Sequence, residues 1–206
     1  MRAVLLATAL AVAAPSEVSA SPRPPVRSML ELRRDGVVQQ RWDLSCGAAA
    51  LSTLLTYDQG DRVTEEEVVA GLLQHADPER IRRQGGFTLL DLKRYATARG
   101  YVATGYQDLS SVAAAASLAP AIVPTVVRGQ PHFMVLRGIA QGRVVLSDPA
   151  YGNRTMTAER FEALWSPRVA FVVRRPPGGP GDPRGREPRA TIVPDVVLRE
   201  AARGTP

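Results

Sequence analysis

The chain of 206 residues is long enough for one domain of ordinary size with flanking segments. Its formal charge of +6 comes almost wholly from arginine, since Lys93 is the sole lysine among 26 basic residues. No basic run is interleaved with aromatics, which argues against nucleic acid as a partner bound on a stacking platform.

Residues 1–20, "MRAVLLATALAVAAPSEVSA", read as a secretory signal: Arg2 is the positive start, 3–14 the apolar run, and Val18-Ser19-Ala20 the small residues at a cleavage site. That run is shorter than the roughly 20 residues a bilayer span needs. No later stretch is apolar for long enough. The expectation is an exported bacterial protein, periplasmic or secreted, with no integral membrane segment in its mature form. Residues 21–28, "SPRPPVRS", form a flexible lead-in, 29–175 the domain, and 176–206 a Pro/Gly/Arg-rich disordered tail.

Within the domain, apolar spacing predicts a helix over 44–57, with Leu51, Leu54 and Leu55 on one stripe. Thr64 with Glu67, and Thr88 with Asp91, begin two further helices as capping boxes. The second stops before Gly100. Strands are expected over 101–106, 121–127, 132–139, 143–147 and 168–173, interrupted by short helices at 109–118 and after Thr157. Helices first and strands later indicate an α+β fold with an antiparallel sheet.

Cys46 is the only cysteine, and export gives that fact weight. An unpaired thiol is an intermolecular link, a buried inert group or a reactive one. With Asp43 or Ser45 as helix cap, Cys46 sits in a first turn whose free N–H groups favour an anion. A nucleophilic thiol needs a base, and His75 and His132 are the two histidines. His75 ends a polar helix and reads as solvated. His132 opens the apolar strand "HFMVL", where a core histidine satisfied by backbone is the alternative to a base. A three-residue loop at Ala140-Gln141-Gly142 pairs Ile139 with Arg143 and sets Asp148 opposite Met134. His132 and Asp148 are then diagonal neighbours on one face, within side-chain reach. A two-residue loop would put them on opposite faces. Asp148 serves either as the orienter of the imidazole or as a turn residue before Pro149. Gln40, just upstream, offers an amide to complement the Cys46 N–H as an oxyanion donor. Trp42 either lines the substrate cleft or packs the helix start, and Trp165 is expected in the core.

The stretches "QRWDLSCGAAAL" (40–51), "GGFTLLDLKRYATARGY" (85–101), "HFMVLRGI" (132–139) and "RVVLSDPAYG" (143–152) resemble the C39 family of cysteine peptidases. The resemblance implies a papain-like fold, with N-terminal helices packed on a C-terminal antiparallel sheet. It implies Cys46 as nucleophile, His132 as general base, Asp148 as its orienter and Gln40 as oxyanion donor. Ser45 stands where the family commonly has Asp. No cluster with metal-ligand spacing and no phosphate-cradling glycine loop is present, so no cofactor is expected. The expected partner is a peptide or protein substrate, such as a surface or pilus-type protein. The chain reads first as a thiol peptidase. The alternative is a peptide-binding or assembly module on the same fold.

Overall fold

Apolar residues that alternate along the second half of the chain build one sheet with both faces covered. A computed structural model describes residues 26–176 together with the backbone pair 191–192; the expected signal over 1–20 lies outside the described residues, as does most of the expected tail. The helices are α1 (Met29–Arg34), α2 (Cys46–Thr53), α3 (Glu65–Leu73), α4 (Pro78–Gln84), α5 (Leu89–Ala98), α6 (Val112–Ala116) and α7 (Ala158–Leu164). The strands are β1 (Val102–Gln107), β2 (Ala121–Val127), β3 (Gln130–Ala140), β4 (Arg143–Asp148), β5 (Gly152–Met156), β6 (Ala170–Arg174) and β7 (Thr191–Ile192). They form a seven-stranded antiparallel sheet in the order β5-β4-β3-β2-β6-β1-β7.

The alternation along β3 divides the core. Phe133 and Val135 join Leu51, Leu54, Leu92 and Phe171 in a cluster with α2, α3 and α5. Met134 and Leu136 join Val123, Leu146, Phe161 and Trp165 in a second cluster under α6 and α7. Period-two patterning with apolar residues at both parities is what a strand buried on two faces requires. Trp165 is in the core as expected, donating its indole N–H to the Val169 carbonyl at 2.9 Å.

Several elements differ from the sequence reading. The helix expected over 44–57 starts at Cys46 and passes into a π-helical turn, Leu54–Asp58. Helix α4 was not anticipated, although Asp77 caps it through Glu79 N and Arg80 N and Pro78 occupies the first turn. Proline there loses no intrahelical hydrogen bond, so what resembles a breaker is a start signal. Short α1, with its Ser28–Glu31 capping box, and strand β5 were also missed.

Candidate active site

Cys46 begins α2, and every residue of that helix is buried. Small residues make this possible. A Cβ at Gly47 would lie 3.2 Å from a Phe133 ring carbon and 3.6 Å from Leu92 Cδ1, so glycine brings the start of α2 down onto β3 and α5. Ser45 is the N-cap residue, with its carbonyl accepting from Ala49 N at 2.9 Å, but its hydroxyl does not cap the helix as expected. The hydroxyl lies 2.5 Å from Glu65 Oε1 and 2.8 Å from the Trp42 carbonyl. The first-turn N–H groups of α2 are therefore left without that side-chain acceptor. Cys46 itself is a free thiol, 6% exposed.

His132 lies near the start of β3 with its side chain 12% exposed, and Asp148 ends β4 fully buried. The imidazole Nε2 is 2.8 Å from Asp148 Oδ1. The juxtaposition matches the expectation, but the route to it differs. The β3–β4 loop has two residues, Gln141 and Gly142, both at positive φ, with Ala140 opposite Arg143. That register alone would separate the two side chains. A bulge between Leu136 and Gly138 shifts the pairing by one residue, so that Val135 faces Ser147. Continued one step, the pairing sets Met134 opposite Asp148 and restores the diagonal. Gly138, at φ 135°, supplies the backbone geometry of the bulge.

Asp148 is heavily partnered. Oδ1 also accepts from Ala150 N at 2.9 Å and Tyr151 N at 3.3 Å, and Oδ2 accepts from Arg154 Nη1 at 3.1 Å. Burial pushes this carboxyl up, but hydrogen bonding to His132, the charge of the imidazole, the Ala150 N–H and Arg154 together bring it below the usual carboxylate range. For His132, burial is the largest single influence and acts downward. Hydrogen bonds with Asp148 and Cys46, and the charges of both, outweigh it and carry the ring up to about 9. Nε2 is taken by Asp148, and Cys46 is the other group whose hydrogen bond and charge act on the ring.

Gln40 is tied to the strand end bearing Asp148, with its backbone N–H donating to the Pro149 carbonyl at 2.9 Å. One amide hydrogen of its side chain goes to the Trp42 carbonyl at 3.0 Å, while Oε1 is buried and unpartnered. A cleft of about 200 Å³ is lined by Gln39, Gln40, Arg41, Trp42, Asp43 and the Pro149-Ala150 pair. Trp42 is 47% exposed at its rim, with the Arg41 guanidinium 5.8 Å from its ring centre. His75 is exposed, just past the end of α3. Among the described residues, no group of three or more His, Cys, Asp or Glu side chains is placed to hold a metal ion, and no helix is long and apolar enough to cross a membrane.

Two residues in this network went unnoticed in the sequence. Glu65 shares the buried stripe of α3 with Val68 and Leu72, and a carboxylate at an apolar position is the available signal. Arg154 gave none, because recognising it required strand β5.

A family model described as Peptidase C39 matches residues 34–177. The chain belongs to the peptidase C39 family. It is 39% identical over 148 residues to the probable functional amyloid protease FapD of Pseudomonas aeruginosa, covering 72% of this chain and 65% of that one. The FapD of Pseudomonas fluorescens is 36% identical over 148 residues, covering 72% and 64%. The matched region thus spans just under two thirds of the length of these curated relatives. Among solved structures, a double glycine motif protease from an AMS/PCAT transporter, in complex with its leader peptide, superposes with a TM-score of 0.54 at 24% identity, covering 68% of this chain and 91% of that one. The peptidase domain of Streptococcus ComA, a bi-functional ABC transporter, gives 0.57 at 18% identity, covering 68% and 98%. These likenesses show the fold of this C39-family chain to be the papain-like one expected from the sequence.

Proposed function

We propose that this chain is an exported thiol peptidase that hydrolyses peptide bonds with Cys46 as nucleophile, His132 as general base and acid, and Asp148 as the group that orients the imidazole. The observation that carries the reading is the 2.8 Å His132–Asp148 hydrogen bond, which leaves the opposite ring nitrogen for the thiol. The imidazolium beside the sulfur stabilises a thiolate, which attacks the substrate carbonyl carbon and forms a C–S bond. The Cys46 N–H and the second amide hydrogen of Gln40 stabilise the oxyanion. His132 then protonates the leaving amine, and the neutral ring takes a proton from the water that attacks the thioester. A carboxylic acid and an amine leave, and the thiolate–imidazolium pair is restored.

Trp42, at the cleft rim, contacts the bound chain. The substrate is an exported protein, and the names of the two curated relatives direct attention to a component of a functional amyloid. Domain organisation follows the sequence reading: a signal over 1–20, a lead-in over 21–28, the peptidase over 29–175 and a tail over 176–206.

The chain from Ser21 onward is treated with iodoacetamide at pH 6 and, separately, with a mixed peptide library read by mass spectrometry. Cys46 is expected to alkylate roughly tenfold faster than in His132→Ala, since the variant lacks the imidazolium that stabilises a thiolate. Library cleavage is expected to vanish in Cys46→Ser. Equal alkylation of the two proteins together with no cleavage would overturn the reading in favour of a peptide-binding module.

A further inference from the structure

The loop that joins the two proposed oxyanion donors is only five residues long, and one buried carboxylate holds both of its ends. Glu65, the first residue of α3, is 2% exposed. Its Oε1 and Oε2 accept from the backbone N–H of Arg41, next to Gln40, at 3.1 and 3.0 Å. Its Oε1 lies 2.5 Å from the hydroxyl of Ser45, next to Cys46. Between these anchors, the Trp42 carbonyl accepts from Gln40 Nε2 at 3.0 Å and lies 2.8 Å from Ser45 Oγ, and Trp42 N donates to that same oxygen at 3.3 Å. The Arg41 guanidinium turns instead to Glu66. Burying a carboxylate is costly unless it is fully hydrogen-bonded, and a solvated cap would hold the start of a helix as well. What Glu65 adds is a fixed separation between the residue after Gln40 and the residue before Cys46.

We propose that Glu65 is the positioning residue of the oxyanion site, acting through Arg41 N–H and Ser45 Oγ to set the Gln40 amide and the Cys46 N–H at one spacing. This rests on the peptidase reading above. It separates two reactions of the same thiol. Alkylation by iodoacetamide is a displacement at carbon that generates no oxyanion. Acylation by p-nitrophenyl acetate passes through a tetrahedral oxyanion before p-nitrophenolate leaves, and it depends on both donors.

The test compares the two second-order rates in wild type, Glu65→Ala, Glu65→Gln and Ser45→Ala, with folding checked by thermal melting. The expected result is an acylation rate lower by roughly tenfold or more in Glu65→Ala, with alkylation within about twofold, because a displaced donor costs rate steeply. Glu65→Gln keeps an acceptor for the Arg41 N–H and is expected to recover part of the loss. Ser45→Ala reports on the same network should the Glu65 variants not fold, with acylation again falling selectively. Unchanged rates, or equal falls in both reactions, would overturn the proposal. Failure of the peptidase reading looks different. Wild type itself would then acylate no faster than N-acetylcysteine, and that outcome overturns both.

Discussion

Burial alone would drive the proton off His132, and two neighbours decide otherwise. Asp148 and Cys46 together outweigh the desolvation of the ring and hold it charged up to about 9. Two consequences follow from the sign. On the proposed mechanism, peptide hydrolysis is expected to fall as pH rises through about 9, because a deprotonated ring would neither balance a thiolate nor protonate the leaving amine. Asp148→Asn removes one of the two supports, so the basic limb of kcat/KM is expected to move down by at least one pH unit toward the ordinary histidine value near 6.5. The same shift affects stability. A folded value raised above the unfolded one contributes fully below about 6.5 and is lost as pH rises through about 9. The stability gap between wild type and His132→Ala, from urea unfolding, should therefore be larger at pH 6 than at pH 9.5, by up to roughly 3 kcal/mol. The candidate roles of Cys46 and His132 could be argued from the sequence because the chain has one cysteine and two histidines. Asp148 rested on the hairpin register, and Gln40 on its place just upstream of the cysteine. Glu65 and Arg154 were not legible, because one serves a single backbone N–H and a serine hydroxyl and the other a carboxylate already accounted for.

Elements were legible where periodicity or a capping box declared them, and misread where turn chemistry decided the register. The β3–β4 hairpin is the clearest case. A shorter loop than expected and an unexpected bulge cancel, so the right neighbours resulted from two compensating departures. Neither departure can be read from apolar alternation alone, since Arg137 and Gly138 interrupt the pattern without saying how. At the other end of β4, Asp148 pairs with Gly152, which has φ 79°. A Cβ there would sit 2.4 Å from the Arg33 carbonyl oxygen. Backbone cannot move aside as a side-chain tip does, so Gly152→Ala combines strain with a clash. It is expected to cost about 1–3 kcal/mol in urea unfolding and to loosen α1, which Asn153 Nδ2 otherwise holds through the Leu32 carbonyl at 3.2 Å.

At the scale of the whole molecule, one sheet divides two apolar clusters whose residues alternate along the same strands. Neither cluster survives without β2, β3 and β6, so the domain is expected to unfold as a unit. In Trp42→Phe, fluorescence reports only on Trp165 in the second cluster, while far-ultraviolet circular dichroism reports on all the helices. Their urea midpoints are expected to coincide; separate midpoints would mean that the two sides melt independently. The α+β class was legible from the order of helices and strands, but the covering of both sheet faces was not, because a short apolar run does not reveal how many faces it buries. The hydrogen bond from Gln40 N to the Pro149 carbonyl joins residues on opposite sides of the sequence. It forms only after nearly the entire domain has been made and the β4 end has met the N-terminal loop. On the proposed mechanism, a chain that has not yet brought these segments together carries a thiol without its imidazole partner. In refolding from urea, fast alkylation at pH 6 should return with the last kinetic phase and not before it, which makes completion of the fold its own safety catch.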